Sequence, residues 1–155
     1  MLLDPQELVE FLAPYPESVR SLALEARLRL HEIAGPASDL FFDATSAVCA
    51  GLSYTGEPKG NFVNLAVYAN HVTLVFAWGV RLDDPDGRLR GSGSQVRHIR
   101  LQGIETLHEP YVVGLIRQAA MNAARPASPI EPIKYVKVYN GPKRRPAPAE
   151  AGADL

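Results

Sequence analysis

A two-layer α+β fold, with an antiparallel sheet of four or slightly more strands packed against helices, is the architecture this chain predicts. Three observations carry the prediction. Helical periodicity is confined to the first 35 residues and to a segment near residues 112–124, while from Ser46 onward β-branched and aromatic residues with two-residue alternation take over. The resulting order of two helices, four strands and one helix lacks the strand-helix alternation of a parallel doubly wound sheet. Finally, 155 residues at 46% apolar and 21% charged content suit one hydrophobic core rather than two.

Asp4-Pro5-Gln6-Glu7 reads as a helix start: Asp4 offers an acceptor to orphan amides, Pro5 suits the first helical position and Glu7 reaches back to the cap. This short helix carries Leu8, Val9, Phe11 and Leu12 and stops before Pro14. A longer one opens at Pro16, repeats Val19, Leu22, Ala23, Ala26, Leu30 and Ile33 at three and four residues, and closes at Gly35-Pro36. Ala47 to Tyr54 has strand composition and runs into turn residues Gly56 to Asn61. Phe62 to Tyr68 and Val72 to Trp78 form a hairpin across Ala69-Asn70-His71. Alternation puts Val72, Leu74, Phe76 and Trp78 on one face and Thr73, Val75 and Ala77 on the other, which places that strand inside the sheet.

Asp83 to Gly87 is a turn, and Gln95 to Leu101 a fourth strand. Val112, Leu115, Ile116, Ala119, Ala120 and Ala123 mark a last helix ending at Arg125-Pro126. Proline and alanine then dominate, so residues 1–125 are read as the domain and 126–155 as a partly basic tail. Within the tail, Ile133 to Tyr139 suits an edge strand or docking on a partner, and Lys143 to Leu155 has the composition of a disordered end.

The single cysteine, Cys49, excludes an internal disulfide and a two-thiol zinc or redox motif, and it favours a reducing, cytoplasmic setting. The start intersperses Asp4, Glu7 and Glu10 among its apolar residues, unlike a secretory leader, and no apolar run approaches the ~20 residues of a membrane helix. The net charge of −1 hides an asymmetry: residues 1–133 hold 11 basic and 15 acidic side chains, residues 134–155 hold 5 and 2. Neither balance is extreme enough to make nucleic acid or an anionic membrane the expected main partner.

Asn61 to Gln102 carries several motifs in order: an apolar strand, the Asn70-His71 turn, a second apolar strand Val72 to Trp78, the acidic loop Asp83 to Asp86, the turn Gly91 to Gly93, and Arg97-His98-Ile99-Arg100. In this arrangement the chain resembles the YdhG-like family of small bacterial proteins, classed as a domain of unknown function, over about residues 16–124. The resemblance implies a frataxin-like helix-on-sheet fold. Some members are described as intracellular iron chaperones, so it also implies iron binding. This chain departs from the family at Ser94, where a lysine commonly follows the glycine-rich turn. Its long helix interleaves Glu17, Glu25 and Glu32 with Arg20, Arg27 and Arg29, the pattern of a salt-bridged solvated face rather than the carboxylate-rich helix of frataxin-type iron delivery.

Gly91 to Arg100 matches neither G-x-x-x-x-G-K-[ST] nor G-x-G-x-x-G and precedes a strand, so it reads as a turn. The sharper alternative is a weak anion or carboxylate site at Ser92, Ser94, His98 and Arg100. Asp83, Asp84 and Asp86 lack calcium-loop spacing and read as amide-capping turn residues; they become ligands for iron or another hard cation if Asp39 and Asp43 approach them. Histidines 31, 71, 98 and 108 have no metal-binding spacing. Cys49 reads as an inert buried thiol, and a Cys49–His98 catalytic pair requires adjacent strands. Tyr54, Phe62, Tyr68, Phe76 and Trp78 read as core, or, under an incomplete helical cover, as the lining of a small apolar pocket in which Tyr68 and Trp78 meet a ligand. Lys134, Tyr135, Lys137, Tyr139, Lys143, Arg144 and Arg145 mix basic and aromatic groups; beside an acidic body they suit a solubilising or intersubunit arm better than a nucleic-acid arm. The leading expectation is a non-enzymatic binding or chaperone-like domain for iron or a small ligand. The alternative is an interaction module whose C-terminal arm docks on a second subunit. An enzyme ranks below both, because no nucleophile, base and orienting group occur together.

Overall fold

The computed structural model describes residues 2–147. Helices α1 (Gln6–Leu12) and α2 (Glu17–Ala34) come first, followed by strands β1 (Ser38–Asp43), β2 (Val48–Ser53), β3 (Asn61–Val67), β4 (Val72–Phe76) and β5 (Arg97–Arg100), then helix α3 (Pro110–Asn122) and strand β6 (Lys134–Val138). Short 3-10 turns lie at Pro58–Gly60, Gly79–Arg81 and Ile104–His108. The sheet runs β5-β4-β3-β2-β1-β6. Strands β1 to β5 form an antiparallel meander, and β6 joins its β1 edge in parallel. The expected α+β class is therefore present, with six strands in a mixed sheet.

The helices cover one sheet face, which is largely apolar, with the ion-paired Asp39 and Asp43 of β1 as exceptions. Phe41, Val48, Ala50, Leu52, Val63, Leu65, Val67, Val72, Leu74, Phe76 and Ile99 pack against Leu8, Leu12, Ala23, Leu30, Val112, Leu115 and Ile116 of the helices. Each fully buried Leu or Phe here contributes about 1.5–3 kcal/mol relative to exposure. Tyr15, between α1 and α2, is buried and donates its hydroxyl to the Val67 carbonyl at 3.0 Å. Gly35 ends α2 in the left-handed region at φ 77°, where a side chain would be strained.

Four local expectations change. Ser38-Asp39-Leu40-Phe41-Phe42-Asp43 is not marked as a strand by its sequence, yet it forms β1, an interior strand between β2 and β6. At α1 the cap residue is Pro5 with no side-chain cap; the Glu7 carboxylate instead accepts from Lys134 Nζ of β6 at 2.7 Å. Arg27 is not part of a solvated salt-bridged face but is buried at 3% exposure. The tail folds back: Ile133 to Tyr139 takes the edge-strand alternative, pairing with β1 of its own chain, while Lys143 to Arg145 dock on the turn after β1 rather than forming a free end. Residues 148–155, which share that disorder expectation, lie outside the described residues. No helix among the described residues is long and apolar enough to cross a membrane.

Candidate functional site

The five aspartates proposed as cation ligands are dispersed, each for a local reason. Asp39 faces α2 and is 1% exposed. Arg27 donates Nε to its Oδ1 at 2.9 Å and Nη2 to its Oδ2 at 2.8 Å, and His31 Nε2 meets Oδ1 at 2.8 Å. Burial alone would raise this carboxyl, but the hydrogen bonds and charges of Arg27 and His31 together hold it below its ordinary range. Asp43 is paired with Arg145. Asp84 accepts the amides of Arg88 at 3.0 Å and Leu89 at 2.9 Å and the hydroxyl of Tyr111, the capping role that its turn sequence suggests. Asp83 and Asp86 are exposed, their amides tied to Gln118 and Tyr111 of α3. Asp39 and Asp43 therefore belong to the β1 end of the sheet and the acidic loop to α3. Among the described residues no group of three or more His, Cys, Asp or Glu side chains is placed to hold a metal ion.

The six proposed ligand residues fall in different places. Ser92 and Ser94 lie on an exposed loop closed by the Arg90–His98 bridge, and Arg97 Nη1 donates to the loop carbonyls of Gly93 and Val96 at 2.7 Å. The loop thus directs carbonyls at a cation rather than amides at an anion. Arg100 borders a groove with Arg88, Arg90, Glu105 and Glu109. Tyr68 and His98 do meet, in a depression with His71, Thr73, Val75 and Val96 on the sheet face that no helix covers. Tyr68 stacks on His71 with centroids 4.8 Å apart. Burial first, and the charge of Arg100 second, push the His71 imidazole below its ordinary range.

Trp78 stands apart in a cleft of about 200 Å³ between the ends of β3 and β4, the turn Gly79–Arg81 and the C-terminal end of α3. The alternation that grouped it with Phe76 stops at Phe76, where β4 ends, so Trp78 leaves the core and is 42% exposed. Phe62, Phe76, Leu82 and Ala119 make the apolar floor, and Lys59, Asn61, Arg81 and Asn122 the polar rim. The Arg81 guanidinium lies 3.9 Å from the Trp78 ring centroid, a stacked cation that still presents donors. Behind the floor, Phe62 stacks on Tyr54 at 4.7 Å, and Arg125 covers the other ring at 4.3 Å. No carboxylate among the described residues lines the cleft, although Glu57 stands 3.7 Å from the Lys59 ammonium beside it. Arg81, Lys59 and Asn61 escaped the sequence reading; the available signal was the turn composition around each of them, which does not say that the two turns converge.

Cys49 and His98 lie on strands separated by β3 and β4, so the adjacency their catalytic pairing needed is not met. Burial pushes the Cys49 thiol up to about 11, which leaves little thiolate at neutral pH. Comparison with known proteins adds no relative: no family model, no curated protein and no solved structure matches the chain.

Proposed function

We propose that this chain is a non-enzymatic binding domain, related to the YdhG-like proteins by the motifs quoted above, whose ligand seats in the Trp78 cleft. The observation that carries this reading is the cleft's composition: an aromatic and aliphatic floor, two carboxamides, two cations and, among the described residues, no lining carboxylate. A small organic acid with an apolar body complements it, the body against Phe62, Phe76 and Trp78 and the charge at Arg81 or Lys59. The iron reading attached to the resemblance depends on carboxylates meeting, and the dispersal of Asp39, Asp43, Asp83, Asp84 and Asp86 favours the organic ligand. The raised Cys49 thiol and its separation from His98 support the non-enzymatic part.

Trp78 is the chain's single tryptophan, so its fluorescence reports on the cleft directly. Titration with phenylacetate is expected to change that emission saturably, and phenethylamine, of similar shape and opposite charge, is expected to leave it unchanged. Arg81→Ala should weaken phenylacetate about tenfold, the loss of one charge-assisted hydrogen bond. Equal response to both probes, or none to either, sinks the reading. A second reading, an interaction module that pairs through its C-terminal arm, is favoured by one observation: β6 is an edge strand with Val136, Val138 and Tyr139 exposed.

A further inference from the structure

The strand register lines up side chains across the helix-free face in two rows. One reads Tyr135, Leu40, Gly51, Asn64, Val75, His98, from β6 to β5. The next reads Lys137, Phe42, Cys49, Ala66, Thr73, Arg100. Five inter-strand steps make each row about 24 Å long. Small residues, Gly51, Cys49, Ala66 and Thr73, form the floor, and large ones stand at the ends: Phe42 against Tyr135 with ring centroids 6.0 Å apart on one side, and His98 near the stacked Tyr68–His71 pair on the other. The floor is kept low at Gly51, where a Cβ would lie 2.6 Å from Asn61 Nδ2 and 2.9 Å from Asn64 Cβ. The register shift at Leu52/Ser53 brings Asn61 over the same glycine as Asn64, three residues on, which unbroken alternation would forbid. The Oδ1 atoms of both asparagines are buried without a protein hydrogen-bond partner.

The strand side chains on this face carry charge of one sign. Arg100 and Lys137 are exposed at opposite ends, and no strand residue pointing this way is acidic, since Asp39 and Asp43 of β1 point to the helix side. The neighbouring loops 69–71 and 91–96 hold no acid either. Glu105 and Glu109 lie beyond the β5 edge in a groove with Arg88, Arg90 and Arg100, where Arg88 pairs with Glu109 at 3.2 Å and Arg100 forms no ion pair among the described residues. An extended polyanion with flat rings fits this face: phosphates at Arg100 and Lys137, and bases on Tyr135 and the Tyr68–His71 pair. We propose that this helix-free face is a binding surface for single-stranded nucleic acid, separate from the Trp78 cleft. The near-neutral total charge does not oppose this, because the acidic side chains Glu10, Glu17, Glu25 and Glu32 are on the helix layer.

The test uses the full chain and a fluorescein-labelled 12-nucleotide oligouridine, within the roughly 4–16 nucleotides of single-strand sites. Fluorescence anisotropy is expected to rise saturably at 50 mM KCl. With two phosphates neutralised at about 0.7 counterions each, the affinity should fall about sevenfold at 200 mM KCl. Arg100→Ala with Lys137→Ala should abolish most of that salt dependence. Tyr135→Leu should weaken binding about tenfold while Tyr135→Phe retains it, and Trp78→Ala should leave it unchanged. Circular-dichroism melts confirm that each variant is folded. No saturable rise, equal binding of the duplex form, insensitivity to the double substitution, or equally effective competition by polyglutamate would overturn the proposal.

Discussion

Arg27 shows how much a single side chain decides here. It sits on α2 four residues after Ala23 and three before Leu30, so it projects towards the core rather than the solvent. Its guanidinium is tolerable there because Asp39 receives it bidentately and the Leu3 carbonyl takes a further bond from Nη2 at 2.9 Å. Removing one partner of such a pair strands the other, so Arg27→Met should cost about 3–5 kcal/mol in urea unfolding at pH 7. The pH dependence follows from the lowered Asp39 carboxyl. A depressed folded-state value stabilises the protein above the unfolded value near 3.8, and that stability is lost as pH falls through the folded value. The gap between the protein and Arg27→Met should therefore narrow in acid; a gap that widens below pH 4 would contradict this assignment. In the sequence Arg27 reads as part of a solvated salt-bridged face, because the partner that makes its burial tolerable, Asp39, lies on a strand that the local pattern does not mark.

At the scale of elements, β1 and β6 stand or fall together. β1 was illegible because acids stand near both ends of a six-residue run, Asp39 and Asp43, and each is neutralised only by a residue distant in sequence. β6 was legible as an edge strand because Ile133 to Tyr139 is rich in β-formers. Its attachment is polar as well as sheet-like: Lys134 Nζ reaches Glu7 and the Asp4 carbonyl, and Ser38 Oγ accepts the Ile133 amide at 3.0 Å. Beyond it, Arg145 is buried and donates Nε and Nη2 to the Ala44 carbonyl at 3.1 and 2.9 Å beside Asp43, while the Arg144 amide bonds Thr45 O at 2.8 Å. Ending the chain after Pro142 should cost about 1–3 kcal/mol, at about 3 °C of melting temperature each. Ending it after Pro132 should cost more and promote aggregation through the bared β1 edge. Equal melting temperatures for both truncations and the full chain would show that the returning segment is not anchored as described.

Across the whole molecule, the acidic side chains Glu10, Glu17, Glu25 and Glu32 lie on the helix layer, and the strand side chains of the open sheet face carry only positive charge. The exposed β6 edge makes the oligomeric state measurable in the same terms: light scattering of the intact chain returning a dimer that Val136→Lys converts to monomer would support pairing through the arm, and a monomer at the outset removes it. Helix-on-sheet architecture, the central hairpin and the last helix were readable from periodicity, because burying one apolar face per element is a local requirement written in spacing. The turn character of Gly91 to Gly93 and the capping role of Asp84 were readable for a similar reason: both depend on neighbours within a few residues. The exposure of Trp78, the burial of Arg27, the dispersal of the aspartates and the alignment of Lys137 with Arg100 were not. Each depends on which distant segments become neighbours, and that follows from packing the entire chain at once rather than from any window along it.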